Sequence, residues 1–189
     1  MQIIRCPWSQ SHPLLEEYHD KEWGTPIHDD VRHFEFFTMD LFQAGLSWLI
    51  ILKKRDGLRE AFDGFDFRKV ALYDDNKVQE LIANEKIIRN QLKIRATVNN
   101  ARKFLEVIDE FGSFDKYIWA FTGGNTIQNS FARQEDLPSS TELSDRISKD
   151  LKNRGFKFVG STIIYAYMQA AGMVNDHVTS CYRYEEITI

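Results

Sequence analysis

Residues 139–172 read SSTELSDRISKDLKNRGFKFVGSTIIYAYMQAAG. A Ser-x-x-Glu capping pattern from Ser139 to Glu142 opens a run in which Leu143, Ile147 and Leu151 recur four residues apart on one helical face. Gly155 ends that helix, residues 156–160 form a short hairpin, and a second helix is predicted from Ser161 to Ala171, with Gly172 as its terminator. Lys152, Arg154 and Lys157 surround the hairpin, and the second helix aims free N–H groups at whatever sits before it, which favours an anion. Two readings follow: an ordinary αα-hairpin with a basic surface, or a cradle for a phosphate.

The rest of the chain reads as helix in the same way. Pro13 is the first residue of a short helix to about Asp20, closed by Trp23-Gly24. Asp29 and Asp30 cap a second, in which Phe34, Phe37, Leu41 and Ala44 make a core-facing stripe that Gly45 stops. Ser47 caps a third that runs towards Phe62 and is weakened at Gly57. Asp66 and Asp74 open two short helices. The longest periodic stretch is 90–111, with Leu92, Ala96, Asn99, Asn100, Lys103, Phe104 and Val107 on its apolar face and Gly112 at its end. Another helix spans Phe114 to Phe121, whereas residues 126–137 have no period and read as a loop or a frayed ribbon. No repeat or linker interrupts the series, so one all-α domain of roughly nine short helices is expected over residues 1–189.

Composition narrows the function. With 189 residues, 43% hydrophobic and 28% charged, the chain can bury a sizeable core and is too apolar for disorder. Lys53-Lys54-Arg55 cuts the longest apolar segment well short of a bilayer span. Arg5, Cys6 and Pro7 follow two isoleucines, which is not a signal-peptide pattern. A cytoplasmic protein without a membrane partner is expected, where cysteines serve more often as ligands than in disulfides. A net charge of −4 argues against indiscriminate nucleic-acid binding, although residues 146–157 and 89–95 are locally basic.

Those cysteines number two. Asn175-Asp176-His177-Val178-Thr179-Ser180-Cys181 sets a His and a Cys four residues apart, on one face if the stretch is helical, and Cys6 and His19 lie at the other end of the chain. Together they make a Cys₂His₂ set suited to tetrahedral Zn²⁺. Ligands so distant in sequence carry little information by spacing, which leaves a disulfide or two separate buried thiols open.

Asp40 stands apart. Its place beside the Phe37/Leu41 stripe predicts at least half burial, which is costly for a carboxylate without a partner. Trp8, Tyr18, Trp23 and Trp48 are close to it or to the cysteine and histidine ligands in sequence. An aromatic-walled pocket with one acid suits a flat, cationic, hydrogen-bonding ligand; the alternative is that these rings simply fill the core.

The hairpin with Gly155 and Gly160 resembles the helix-hairpin-helix element that grips a DNA backbone without reading sequence. Arg5-Cys6-Pro7-Trp8, Tyr18-His19-Asp20-Lys21-Glu22-Trp23-Gly24, Gln43-Ala44-Gly45-Leu46-Ser47-Trp48, Lys53-Lys54-Arg55, Ile87-Ile88-Arg89-Asn90, residues 154–160, Met168-Gln169-Ala170 and Val174-Asn175-Asp176-His177, in that order, resemble the DNA-3-methyladenine glycosylase I family of bacterial base-excision repair enzymes. The resemblance implies an all-α, helix-hairpin-helix DNA glycosylase fold in two helical lobes, its N- and C-terminal segments (6–19 and 177–181) joined at a structural Zn²⁺ held by Cys6, His19, His177 and Cys181. It implies double-stranded DNA containing alkylated adenine as the partner, acted on by a monomer. It also implies a flipped base stacked on Trp48 with Trp8 and Trp23 nearby, recognition by Tyr18 and Asp40, Leu46 as a wedge in the vacated stack, and Gly155, Lys157 and Gly160 on the DNA backbone. Superfamily relatives have a catalytic Asp where this chain has Asn175. The family's recognition carboxylate is a Glu followed by Gly, where this chain has Asp40-Leu41, and that departure implies a second outcome: a zinc-stabilised DNA-binding paralogue with altered or lost base specificity.

Overall fold

Capping side chains set most of the helix starts. In the computed structural model, which describes residues 3–187, Asp29 accepts from the Arg32 amide, Asp66 from Arg68, Asp74 from Lys77, Asn90 from Lys93 and Ser113 from Lys116. The helices are α1 (Pro13–Lys21), α2 (Asp30–Gln43), α3 (Trp48–Ala61), α4 (Phe67–Val70), α5 (Asp75–Ala83), α6 (Gln91–Phe111), α7 (Phe114–Trp119), α8 (Glu142–Asn153), α9 (Ser161–Ala170) and α10 (Tyr182–Glu186). The fold is all-α, as expected.

Helix α2 is the axis of the core. Phe34, Phe36, Phe37, Met39, Leu41 and Phe42 are all buried, so the helix is covered on every side rather than along the single stripe the spacing predicts. It packs against α3, α6, α7 and α9. Glu22 at the end of α1, Arg32 and Glu35 in α2, and Arg55 and Arg59 in α3 form one ion-pair network, in which Arg55 reaches Glu22 at 2.6 and 2.7 Å and Glu35 at 2.8 Å. This network fixes the three helices whose inner residues matter below.

Several local expectations are corrected. Helix α6 buries Ala96, Asn100, Phe104 and Val107 as the spacing predicts, but it also turns Lys93, Ile94 and Thr97 inward and leaves Leu92 70% exposed, because its first turns pack between neighbouring helices on a shifted face. The capping box at α8 is built by Thr141 and Ser144, not by Ser139 and Glu142. Helix α3 runs on through Gly57, where a side chain would meet the Lys86 carbonyl at 2.5 Å, so the glycine allows a close approach. Residues 156–160 close without strand pairing, with Phe158 at φ 56°. The stretch 126–137 combines loop with a minimal ribbon, within the range expected: β1 (Ile127–Gln128) pairs in parallel with β2 (Val174–Asn175), Ile127 opposite Val174, and a 3₁₀ turn, not expected, follows at Gln134–Asp136. Finally, His177 and Cys181 lie on a turn before α10 rather than on a helix, the Cys181 amide bonding Val178 O at 2.8 Å.

Candidate active site and metal centre

A cavity of about 340 Å³ opens where α1, α2, α3 and α9 converge. Tyr18 comes from α1, Asp40 from α2, Trp48 from the first residue of α3, and Ala166, Gln169 and Ala170 from α9. Trp8 and Trp23 complete the aromatic wall, the two rings 5.1 Å apart edge-on, while Tyr18 and Trp48 are 5.1 Å apart and tilted. Gln134 and Leu137 close it from the segment that lacked a period in the sequence.

Asp40 is only 3% exposed, and among the described residues no group bonds its Oδ2. Burial alone pushes its carboxyl well above the usual carboxylate range. Tyr18 is likewise raised, first by burial and then by the neighbouring Asp40 charge. Two more buried polar atoms lack partners in this wall, Trp48 Nε1 and Gln134 Oε1. Native proteins satisfy nearly all such atoms, so three orphans around one cavity suit it to a polar ligand. Gln169 is oriented by chemistry: Asp176 can only accept when ionised, so the 2.7 Å contact holds Gln169 Nε2 towards it, and Tyr165 and Asn129 bind the same carboxylate at 2.6 Å.

Behind this wall the two ends of the chain meet. Cys6, His19, His177 and Cys181 are all buried, neither cysteine is in a disulfide, and their four ligand atoms lie within 4.8 Å of one another. Cys181 Sγ is 3.4 Å from His19 Nε2 and 3.5 Å from His177 Nδ1, and Cys6 Sγ is 3.5 Å from His177 Nδ1. The opposite ring nitrogens are held, His19 Nδ1 by Asp20 at 2.9 Å and His177 Nε2 by the Trp23 carbonyl at 3.1 Å. That is the outer shell of a metal-binding histidine pair, so the group can hold a metal ion. The Cys181 thiol is pushed down by the Cys6 thiol and then by both imidazoles.

The turn between α8 and α9 is pinned from α6. Asn99 donates to Gly155 O at 3.0 Å, and Asn100 both donates to Lys157 O at 3.0 Å and accepts from its amide at 2.8 Å. Gly155 needs its residue type, at φ 89°, but Gly160 has φ −62° and open space where a Cβ would stand, so nothing in the protein requires a glycine there. Leu46 sits half-buried on the turn after α2, whose carbonyls at Phe42 and Ala44 are held by the Lys93 ammonium at 2.9 and 2.6 Å. Asn175 lines no part of the cavity; its amide is used by Gln128, Tyr184 and the His177 N–H.

The family model for methyladenine glycosylase matches residues 8–184. The chain belongs to the methyladenine glycosylase family. It is 43% identical to DNA-3-methyladenine glycosylase 1 of Escherichia coli (strain K12) over 177 residues, 94% of this chain and 95% of that protein. A crystal structure of 3-methyladenine DNA glycosylase I superposes with a TM-score of 0.91 at 43% identity, covering 95% of this chain and 98% of the other. A variant of 3-methyladenine DNA glycosylase I in complex with 3-methyladenine also gives 0.91, at 31% identity, over 94% and 96% of the two chains.

Within this methyladenine glycosylase, the structure brings Trp8, Tyr18, Trp23, Asp40 and Trp48 to one cavity, and Cys6, His19, His177 and Cys181 to one cluster. Gly155, Lys157 and Gly160 lie on one turn and Leu46 on another, between the lining residues Gln43 and Trp48; none of the four lines the cavity itself. Sequence reading missed Gln134, because it follows an aperiodic stretch, and Gln169, because a polar residue near a helix end reads as surface. It also missed Lys93, Asn99 and Asn100 as clamps; two adjacent asparagines on a nominally apolar face were the available signal.

Proposed function

We propose that the protein is a base-excision repair DNA glycosylase that hydrolyses the N-glycosidic bond of 3-methyladenine in double-stranded DNA, with the nucleotide turned out of the duplex into the cavity. One observation carries the reading: a fully buried carboxyl, Asp40, stands unpartnered among aromatic rings. Such a group calls for a flat ligand with N–H donors and positive charge, which alkylated adenine supplies while still attached to its sugar. The relatives bear names of that activity.

In this reading the base stacks on Trp48 with Trp8 and Trp23 alongside, and Asp40 and Tyr18 meet its edge. Ionised Asp40 is stabilised by the cationic base it could not otherwise afford to face, which selects the charged lesion over neutral adenine. Asn175, fully engaged, offers no base to activate water, so the chain's contribution is binding and orientation. The base leaves neutral, and the DNA's phosphates support the charge growing on the sugar. Leu46 enters the vacated stack, and the turn with Gly155, Lys157 and Gly160 carries the backbone as a helix-hairpin-helix element; the open space at Gly160 supports that role.

The metal is a structural Zn²⁺ held by Cys6, His19, His177 and Cys181, a closed Cys₂His₂ set. Ligands at about 2.0–2.3 Å in a tetrahedron stand about 3.3–3.8 Å apart, a range the contacts of 3.4 and 3.5 Å occupy. We assign residues 1–189 to one domain of two helical lobes, active as a monomer.

The test is release of 3-methyladenine from alkylated duplex DNA by the purified protein, followed by chromatography of the freed base. Asp40→Glu, which advances the carboxylate by about 1.5 Å, should raise the rate. Duplex binding with no base released would overturn the assignment in favour of a zinc-stabilised DNA-binding paralogue, the reading that Asp40-Leu41 supports.

A further inference from the structure

Gln134 belongs to none of the roles above. It opens the 3₁₀ turn Gln134–Asp136, its side chain lines the cavity, and its Oε1 is buried without a hydrogen-bond partner. A buried, unsatisfied amide oxygen costs stability, so its persistence in the wall of a ligand cavity asks for a donor that arrives with the ligand. The same wall contains the orphan Asp40 Oδ2. Two acceptors, from two segments far apart in sequence, therefore await N–H groups in one cavity.

Resting on the adenine reading above, the chemistry of the base identifies those donors. Methylation at N3 leaves no hydrogen on any ring nitrogen of neutral 3-methyladenine, nor on the base while it is attached through N9. Its only N–H bonds are the two of the 6-amino group. We propose that Gln134 is a specificity-determining residue that accepts one hydrogen of the 6-amino group while Asp40 takes the other, so that the amino group is read from two sides. A purine without that group leaves Gln134 Oε1 as unpaired as it is in the free protein.

The experiment titrates wild type, Gln134→Leu and Gln134→Glu with free 3-methyladenine and with 3-methylpurine, which has hydrogen in place of the amino group, following the fluorescence of the cavity tryptophans. One net hydrogen bond predicts about fivefold weaker binding of 3-methyladenine by Gln134→Leu. Affinity for 3-methylpurine should not change, and Gln134→Glu, which keeps an acceptor, should restore 3-methyladenine binding. Unchanged affinity of Gln134→Leu for 3-methyladenine, or an equal loss for both probes that Gln134→Glu does not repair, overturns the proposal while leaving the glycosylase reading intact. A wild type that binds 3-methyladenine no better than 3-methylpurine overturns the amino-group readout itself, and the excision assay then decides separately whether the glycosylase reading survives.

Discussion

Replacing Asp40 by Asn should make the protein more stable at alkaline pH and useless for its task. The carboxyl is buried, its Oδ2 has no partner, and its proton affinity is raised by burial. An unfolded Asp titrates near pH ~3.9. Between that pH and the higher folded value the native state holds the extra proton, so stability falls as pH rises through this window and stays reduced above it. The uncharged amide of the variant is as unpaired as the neutral acid, so what differs above this window is the cost of the buried charge, on the order of 1–3 kcal/mol. For a chain of this length each kcal/mol is worth about 2–4 °C of melting temperature, so Asp40→Asn should melt on the order of 5 °C above wild type at pH 9. The gap should close towards pH 4, where both side chains are neutral. Scanning calorimetry of the two proteins across this range isolates Asp40, because every other titrating group is common to both. Parallel melting curves at all pH values, or a less stable Asn variant at pH 9, would refute the reasoning.

Metal analysis should give about one zinc per chain, and Cys181→Ser or a strong chelator should lower both metal content and melting temperature; normal stability without metal would contradict the clasp. Arg55→Leu leaves Glu22 and Glu35 with fewer cationic partners in a mostly buried network and should cost about 3–5 kcal/mol, read from denaturant unfolding. Gly160→Ala meets no atom within 4 Å, so it should leave the melting temperature unchanged while weakening duplex binding in a direct titration.

The fold was legible wherever a capping side chain and a 3.6-residue period coincided. Asp29, Asp66 and Asp74 each cap the helix they announce. Period failed where burial is not one-sided: α2 is enclosed on all sides, and α6 buries Lys93 because its ammonium closes the carbonyls of the preceding turn. The cavity was half legible. A carboxylate beside an apolar stripe marked Asp40, and the aromatic residues stood out by lying near it or near Cys6 and His19 in sequence. Gln134 was not legible, since its position depends on a two-residue parallel pairing with a strand some fifty residues away that no local pattern encodes.

That small pairing has a wider consequence. Residues 127–129 are tied to 173–176 by the bridge and by Asn129 to Asp176, Thr179 bonds Phe131, and the same stretch of chain carries His177 and Cys181. The wall bearing Gln134 and Leu137 thus inherits its alignment from the clasp at the chain's ends. If the cluster holds a metal ion as proposed, slack introduced by its removal would reach the mouth of the cavity through the Thr179–Phe131 hydrogen bond and the three residues of chain that lead on to Gln134, so the cavity wall should loosen before the core does.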